Sequence, residues 1–169
     1  MEFQNGTFNT ISKKSAQFGG SFPVWSRVKE LYQGGGTIDI EGMEAGTVIG
    51  AGTPVIFNGP GKEVTLLRGE AYDSTKAYAV GDVVIQANKI YQNKTAITEG
   101  ETFTASKWND MTAKVNGLTF EDVCIPDGCT LATCAVVRAG RIYADRVVGA
   151  TIPSGIEANL PMIEFVRES

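Results

Sequence analysis

The chain has 169 residues, 43% of them hydrophobic, with a formal net charge of −4 and no histidine. This length and apolar content are enough for one ordinary domain or two small ones with a real core. The charge is spread without long runs, which argues against nucleic acid as a partner, and no apolar run reaches the roughly 18 residues of a membrane span. Proteins or sugars are therefore the expected partners, with no nucleic acid and no membrane.

The lack of histidine also bears on catalysis. It removes the commonest general base, the Ser-His and Cys-His nucleophile pairs and most catalytic zinc sites. Adjacent Glu121 and Asp122 would point to opposite faces of a strand, and Glu41 and Glu44 flank a glycine turn with no apolar pocket in view. The sequence favours a protein that is not an enzyme, with no catalytic residues and no cofactor.

Three cysteines, Cys124, Cys129 and Cys134, follow one another at equal spacing. Their odd count argues against a disulfide framework, and their spacing matches no common zinc pattern. We expect buried or half-buried free thiols, with a bound metal as the alternative. The N-terminus lacks the basic start and apolar stretch of a signal peptide, so we expect synthesis in the cytoplasm and release, if any, by another route such as lysis.

Residues 1–20 are rich in Asn, Thr, Ser, Gln and Gly and show no period. Such a composition predicts an extended N-terminal arm. Phe3 and Phe8 are spaced too irregularly for a helix face. They could fill pockets on a partner subunit, or they could tuck onto the parent domain.

The stretch from Pro23 to Gln33 predicts the one short helix of the chain. Ser21 could cap it, and the glycines at 34–36 could end it. Its apolar residues recur at helical spacing: Val24, Trp25, Val28, Leu31 and Tyr32. We expect Trp25 to lie in the core.

The segments that follow, on both sides of residues 71–110, predict β-strands. Their β-branched content and glycine-rich punctuation favour strands at 37–40, 47–49, 54–57, 63–67, 118–125, 131–137, 141–148 and 161–166, with turns at 126–128 and 139–140. These strands predict a mainly β parent domain, a small antiparallel β-barrel or sandwich, built from residues 21–70 and 111–169.

Arg138, Arg141 and Arg146 form the densest basic cluster. Arginine is favoured at protein interfaces because it binds carboxylates bidentately and stacks on aromatic rings. The cluster predicts contacts with a partner protein. Simple solvation, or a local ion pair with Asp145, is the alternative.

Residues 71–110 predict a separate small β module inserted into the parent domain. Val83 to Ile85 and Ile90 to Tyr91 predict two short strands around a polar turn, in a three-stranded module. A hairpin this short needs aromatic residues to supply a core, and the module carries them at Tyr72, Tyr78, Tyr91, Phe103 and Trp108.

This module resembles the small carbohydrate-binding modules attached to bacterial chitinases. The resemblance rests on Tyr72, on Tyr78-Ala79-Val80-Gly81-Asp82-Val83, on Tyr91 and on Ser106-Lys107-Trp108. It implies a glycan-binding platform of Tyr72, Tyr91 and Trp108. At Asn93-Lys94-Thr95 the chain departs from the exposed aromatic pair of sugar-binding members, so the alternative is that these aromatics form a core.

The parent domain resembles small decoration or auxiliary proteins of bacteriophage heads. The resemblance rests on 45–55, AGTVIGAGTPV, and on 129–149, CTLATCAVVRAGRIYADRVVG. It implies a virion protein on the capsid exterior that binds the major capsid protein, stabilises coat-subunit contacts, displays the module outward and forms a homo-oligomer, with a trimer favoured. The alternative is a glycan-binding adhesin or fibre component that attaches virions to host or mucosal carbohydrate.

Overall fold

The computed structural model describes residues 23–168, and these are mainly β, which confirms the predicted fold class. The predicted arm, with Phe3 and Phe8, lies outside the described residues. In chain order the strands are β1 (Trp25–Leu31), β2 (Gly36–Asp39), β3 (Val48–Ile49), β4 (Pro54–Asn58), β5 (Glu63–Leu66), β6 (Glu70–Ala71), β7 (Val83–Gln86), β8 (Lys89–Asn93), β9 (Trp108–Asp110), β10 (Gly117–Thr119), β11 (Val123–Cys124), β12 (Leu131–Cys134), β13 (Val136–Tyr143) and β14 (Ile163–Val166).

Most of these strands belong to one curled sheet. Its order is β1-β13-β10-β4-β5-β2-β12, and β14 pairs with β13. The successive strands β1 and β2 pair antiparallel with β13 and β12, so they form one long ribbon with Trp25 opposite Ile142 at one end and Asp39 opposite Leu131 at the other. Only Ala135 separates β12 from β13. The last strand in this order is therefore continuous with the second, and the sheet curls around its core.

Two clusters of buried side chains fill the curled sheet. Side chains alternate across a strand, so Ile38 and Ile40 are buried while Asp39 between them is exposed. One cluster gathers around Ile38, Val55 and Val136. The other gathers around Leu118 and residues of the C-terminal half.

The helix predicted from Pro23 to Gln33 is wrong, because this segment is strand β1. The pairing of β1 with β13 contains register shifts after Trp25 and after Val28. A bulge adds one residue to a strand, so the half-buried Trp25 and Val28 lie three residues apart, as they would on a helix. The helices found in residues 23–168 are short 3₁₀ segments elsewhere: Ala105–Lys107, Thr112–Lys114, Ala144–Arg146 and Ser154–Asn159.

The turn predicted at Ala139-Gly140 is also wrong, since both residues lie inside β13. A Cβ atom on Gly140 would lie 2.5 Å from the main-chain oxygen of Arg27 on β1. The glycine therefore allows close approach of two strands and makes no turn. The strand predicted over 118–125 is divided into β10 and β11 by a bend, where the Asp122 carboxylate accepts a hydrogen bond from the Ala51 N–H at 2.8 Å.

The chain leaves the curled sheet at the end of β5 and returns to it at the start of β10, and these two points flank the same residue of β4. Val55 on β4 pairs with Leu66, the last residue of β5, and with Gly117, the first residue of β10. Two strand spacings separate these points, about 10 Å. The intervening residues therefore cross from one neighbour of β4 to the other.

Candidate functional site

The intervening residues form a second sheet, in the order β6-β7-β8-β9. It has four strands where three were predicted, because the two-residue β6 pairs parallel with β7. The β7–β8 hairpin turns at Ala87 and Asn88, both with positive φ (49° and 61°). That conformation is typical of a two-residue hairpin turn that matches the twist of the flanking strands.

One face of this sheet carries a cluster of aromatic rings around Trp108. The Trp108 ring centroid lies 5.8 Å from that of Tyr72, 5.6 Å from Tyr78 and 5.6 Å from Phe103. Trp108 is only 3% exposed. A sugar must reach the face of a ring to stack on it, so Trp108 offers no platform in this structure and belongs to the core of the module.

Tyr72 and Tyr91, the other two predicted glycan-binding residues, are half-buried at the margin of the same cluster. Tyr72 stacks on Tyr78 at 5.3 Å and its hydroxyl donates to the main-chain oxygen of Glu101 at 2.8 Å. Tyr91 meets Phe103 edge-on at 5.0 Å. The structure thus brings the three predicted residues together as packing partners: Tyr72 contacts Trp108 directly, and Tyr91 is linked to Trp108 through Phe103.

Polar contacts shape the loops around the aromatic cluster. Asn93 is buried, and its amide nitrogen donates to the main-chain oxygens of Tyr78 at 3.2 Å and Ala79 at 2.9 Å. Glu101 forms an ion pair with Lys107 and accepts a hydrogen bond from the Thr98 N–H. The Lys107 ammonium, followed by the Thr98 donors, lowers the pKa of the Glu101 carboxyl from 4.5 to about 2.

The module is also fastened to the curled sheet through the β7–β8 hairpin. Ile90 is fully buried and belongs to the same cluster as Leu67, Met111 and Ile156 of the surrounding chain. The Ile90 N–H donates to the Thr112 hydroxyl at 3.0 Å, and the Gly155 N–H donates to the Asn88 carbonyl at 3.0 Å. The sequence placed Ile90 in a strand but carried no signal of this shared core.

The three predicted partner-binding arginines are each engaged within the chain. Arg138 lies 3.4 Å from Glu30, and Arg141 lies 3.4 Å from Glu164. Arg146 pairs with Glu168 and stacks 4.1 Å from the centre of the Tyr143 ring. Arg138 and Arg141 remain accessible at about half their side-chain surface (52% and 49%). Ion pairs as exposed as these contribute little stability.

The three cysteines are free and differ in exposure. Cys134 is buried, Cys124 is half-buried and Cys129 is exposed, so the expectation of burial is wrong for Cys129. Burial raises the pKa of the Cys134 thiol to about 11. Within residues 23–168, no three Cys, Asp or Glu side chains are grouped so that they could hold a metal ion, and no helix there is long and apolar enough to cross a membrane.

Comparison with known proteins gives no relative for this arrangement. No protein-family model, no curated protein and no solved structure matches the chain.

Proposed function

We propose that the chain is a non-enzymatic structural protein that decorates the outer surface of a bacteriophage capsid. On this proposal the curled sheet binds the major capsid protein and stabilises contacts between coat subunits. The four-stranded module is displayed outward. The protein is made in the cytoplasm of the bacterial host and forms homo-oligomers, with a trimer favoured.

The observation that carries the proposal is the way the module joins the curled sheet. Leu66 and Gly117 flank Val55, so the chain leaves and returns to the curled sheet at neighbouring positions. The residues between them form a second sheet with its own aromatic cluster. The curled sheet keeps its pairing on both sides of this excursion. Such an architecture suits a scaffold that holds a display element, and the sequence resemblance to head decoration proteins supplies the setting.

The test is the composition of purified virions. We expect stoichiometric, symmetry-related copies of the chain on the capsid exterior, seen by particle imaging and by mass spectrometry of washed particles. Particles that lack the chain, with all of it in the cytosol of infected cells, would contradict the proposal. Loss of particle stability when the chain is absent would further separate a decoration protein from a passenger.

A second candidate is a glycan-binding adhesin, favoured by the partial exposure of Tyr72 and Tyr91. Binding on a glycan array that is lost in Tyr91→Ala and kept in Val80→Ala, a control at an exposed position of the same module, would support it. Because Trp108 lies in the core, Trp108→Ala is unsuitable as a binding test. Absence of binding to any glycan would leave the aromatic cluster as a core.

A further inference from the structure

A groove on the curled sheet combines an apolar floor with basic side chains. It has a volume of about 570 Å³ and lies between β1, β13 and the start of β14. Pro161, Met162 and Ile163 line it, and Met162 is 51% exposed. The charged residues along it are Arg27, Lys29, Arg141 and Glu164.

Two of the three basic side chains of the groove, Arg27 and Lys29, are not neutralised by the described residues. Arg27 lies directly opposite Arg141 in the β1–β13 ladder, and like charges facing each other destabilise a strand pair. Arg141 forms an ion pair with Glu164 at 3.4 Å, while no carboxylate of residues 23–168 forms an ion pair with Arg27 or Lys29. This arrangement gives the groove an excess of positive charge next to an exposed apolar side chain.

Two segments of the chain that lie side by side are acidic. From 36 to 61 and from 115 to 137 the chain contains Asp39, Glu41, Glu44, Glu121, Asp122 and Asp127 and no Lys or Arg. Pairing of β3 with β11, and the hydrogen bond from the Gly46 N–H to the Ile125 carbonyl, bring the two segments together. The groove lies near the Trp25 end of the ribbon, while Asp39 pairs with Leu131 at the other end and leads directly into residues 41–44.

The loop of residues 41–44, Glu-Gly-Met-Glu, has the chemistry that the groove requires. Both glutamates are exposed and flank Met43, which is 36% exposed, and a Cβ on Gly42 would meet no atom within 4 Å. The loop is held in shape by the Glu41 N–H, which donates to the Asp39 carboxylate at 2.9 Å, and by the Met43 N–H, which donates to the Ile40 carbonyl at 3.0 Å. A preformed loop loses less entropy on binding.

We propose that the groove receives the 41–44 loop of a second copy of this chain. Met43 would pack on the Pro161–Ile163 floor while Glu41 and Glu44 pair with Arg27 and Lys29. The groove and the loop are different surfaces of the chain, so a contact made in one direction is heterologous and either closes into a ring or continues. The inference rests on the proposed function only for its biological setting, the capsid surface. A test in solution needs no virion, so each proposal can fail alone.

The experiment is sedimentation velocity of the full chain over a range of concentrations. We expect species larger than the monomer at low salt, and at least a tenfold weaker association at about 1 M salt, where charges are screened beyond about 3 Å. Arg27→Gln/Lys29→Gln and Glu41→Gln/Glu44→Gln should each be monomeric. The control Lys94→Gln/Lys114→Gln, at exposed lysines elsewhere, should associate as the wild type does.

Mixing the two monomeric variants provides the sharpest outcome. Each variant keeps one intact half of the contact, so the mixture should form dimers and nothing larger. A mixture that stays monomeric, or a groove variant that associates as the wild type does, would overturn the proposal. If the charges on edge strand β1 serve only to block strand pairing, their removal should increase association, which would also overturn it.

Other occupants of the groove give different results. A wild type that is monomeric at every concentration, and that associates through the groove once residues 1–22 are removed, would identify those residues as the occupant. A wild type that stays monomeric with or without residues 1–22 would indicate that the occupant of the groove is an acidic partner protein. Either result rejects the second copy.

Discussion

Trp108 could be interpreted from the sequence as a glycan-binding residue or as a core residue, and its burial decides for the core. Its ring packs against Tyr72, Tyr78 and Phe103, and its indole N–H is the one buried side-chain donor without an acceptor among the described residues. We expect Trp108→Ala to lower the free energy of unfolding by about 3–5 kcal/mol. Trp108→Phe should cost substantially less, because an unpaired buried donor is itself unfavourable by about 1–3 kcal/mol. Urea denaturation followed by circular dichroism measures both, and an unchanged midpoint in Trp108→Ala would show that the ring is not core.

Glu101 makes the stability of the module depend on acid. Its carboxyl pKa is about 2 in the folded chain and has an ordinary value of 4.5. The unfolded chain therefore binds the proton first as pH falls, so the stabilisation is complete above about pH 5 and is lost towards pH 2. We expect the thermal midpoint of the wild type to fall more steeply over this window than that of Glu101→Gln. Glu99→Gln, at an exposed neighbour, should retain the wild-type slope.

At the scale of single elements, β1 and β13 depend on close packing at Gly140. A Cβ there would lie 2.5 Å from a main-chain oxygen of β1, and a backbone atom in a ladder cannot move aside cheaply. Gly140→Ala should therefore destabilise the protein by about 1–3 kcal/mol. Gly59→Ala is the matched control, since a Cβ at Gly59 meets nothing within 4 Å. Equal midpoints for the two variants in thermal denaturation would contradict the close strand contact.

At the scale of the whole molecule, the module and the curled sheet share a core through Ile90. We expect them to unfold together, as small cooperative domains do. In a Trp25→Phe variant, fluorescence reports only Trp108, the other of the two tryptophans, while far-ultraviolet circular dichroism reports the whole chain. The two denaturation midpoints should coincide.

Ile90→Ala tests the same coupling from its centre. Removing the buried side chain should lower the free energy of unfolding by about 2–5 kcal/mol. In the Trp25→Phe background, the fluorescence and circular dichroism midpoints should therefore fall together. Two separate transitions, with only the fluorescence midpoint shifted, would show that the module is an independent guest. Val80→Ala, at an exposed position, should change neither midpoint.

Local pattern was sufficient for the mainly β class, for β2, β4, β5 and the β7–β8 hairpin, and for an aromatic core in residues 71–110. β-branched runs and turn residues carry that information within a few positions of the chain. Tertiary structure decided the rest. Bulges shift the register of β1 and so give a strand the spacing of a helix. The role of Gly140, the burial of Trp108 and the sharing of Ile90 depend on atoms distant in sequence, which no local pattern records.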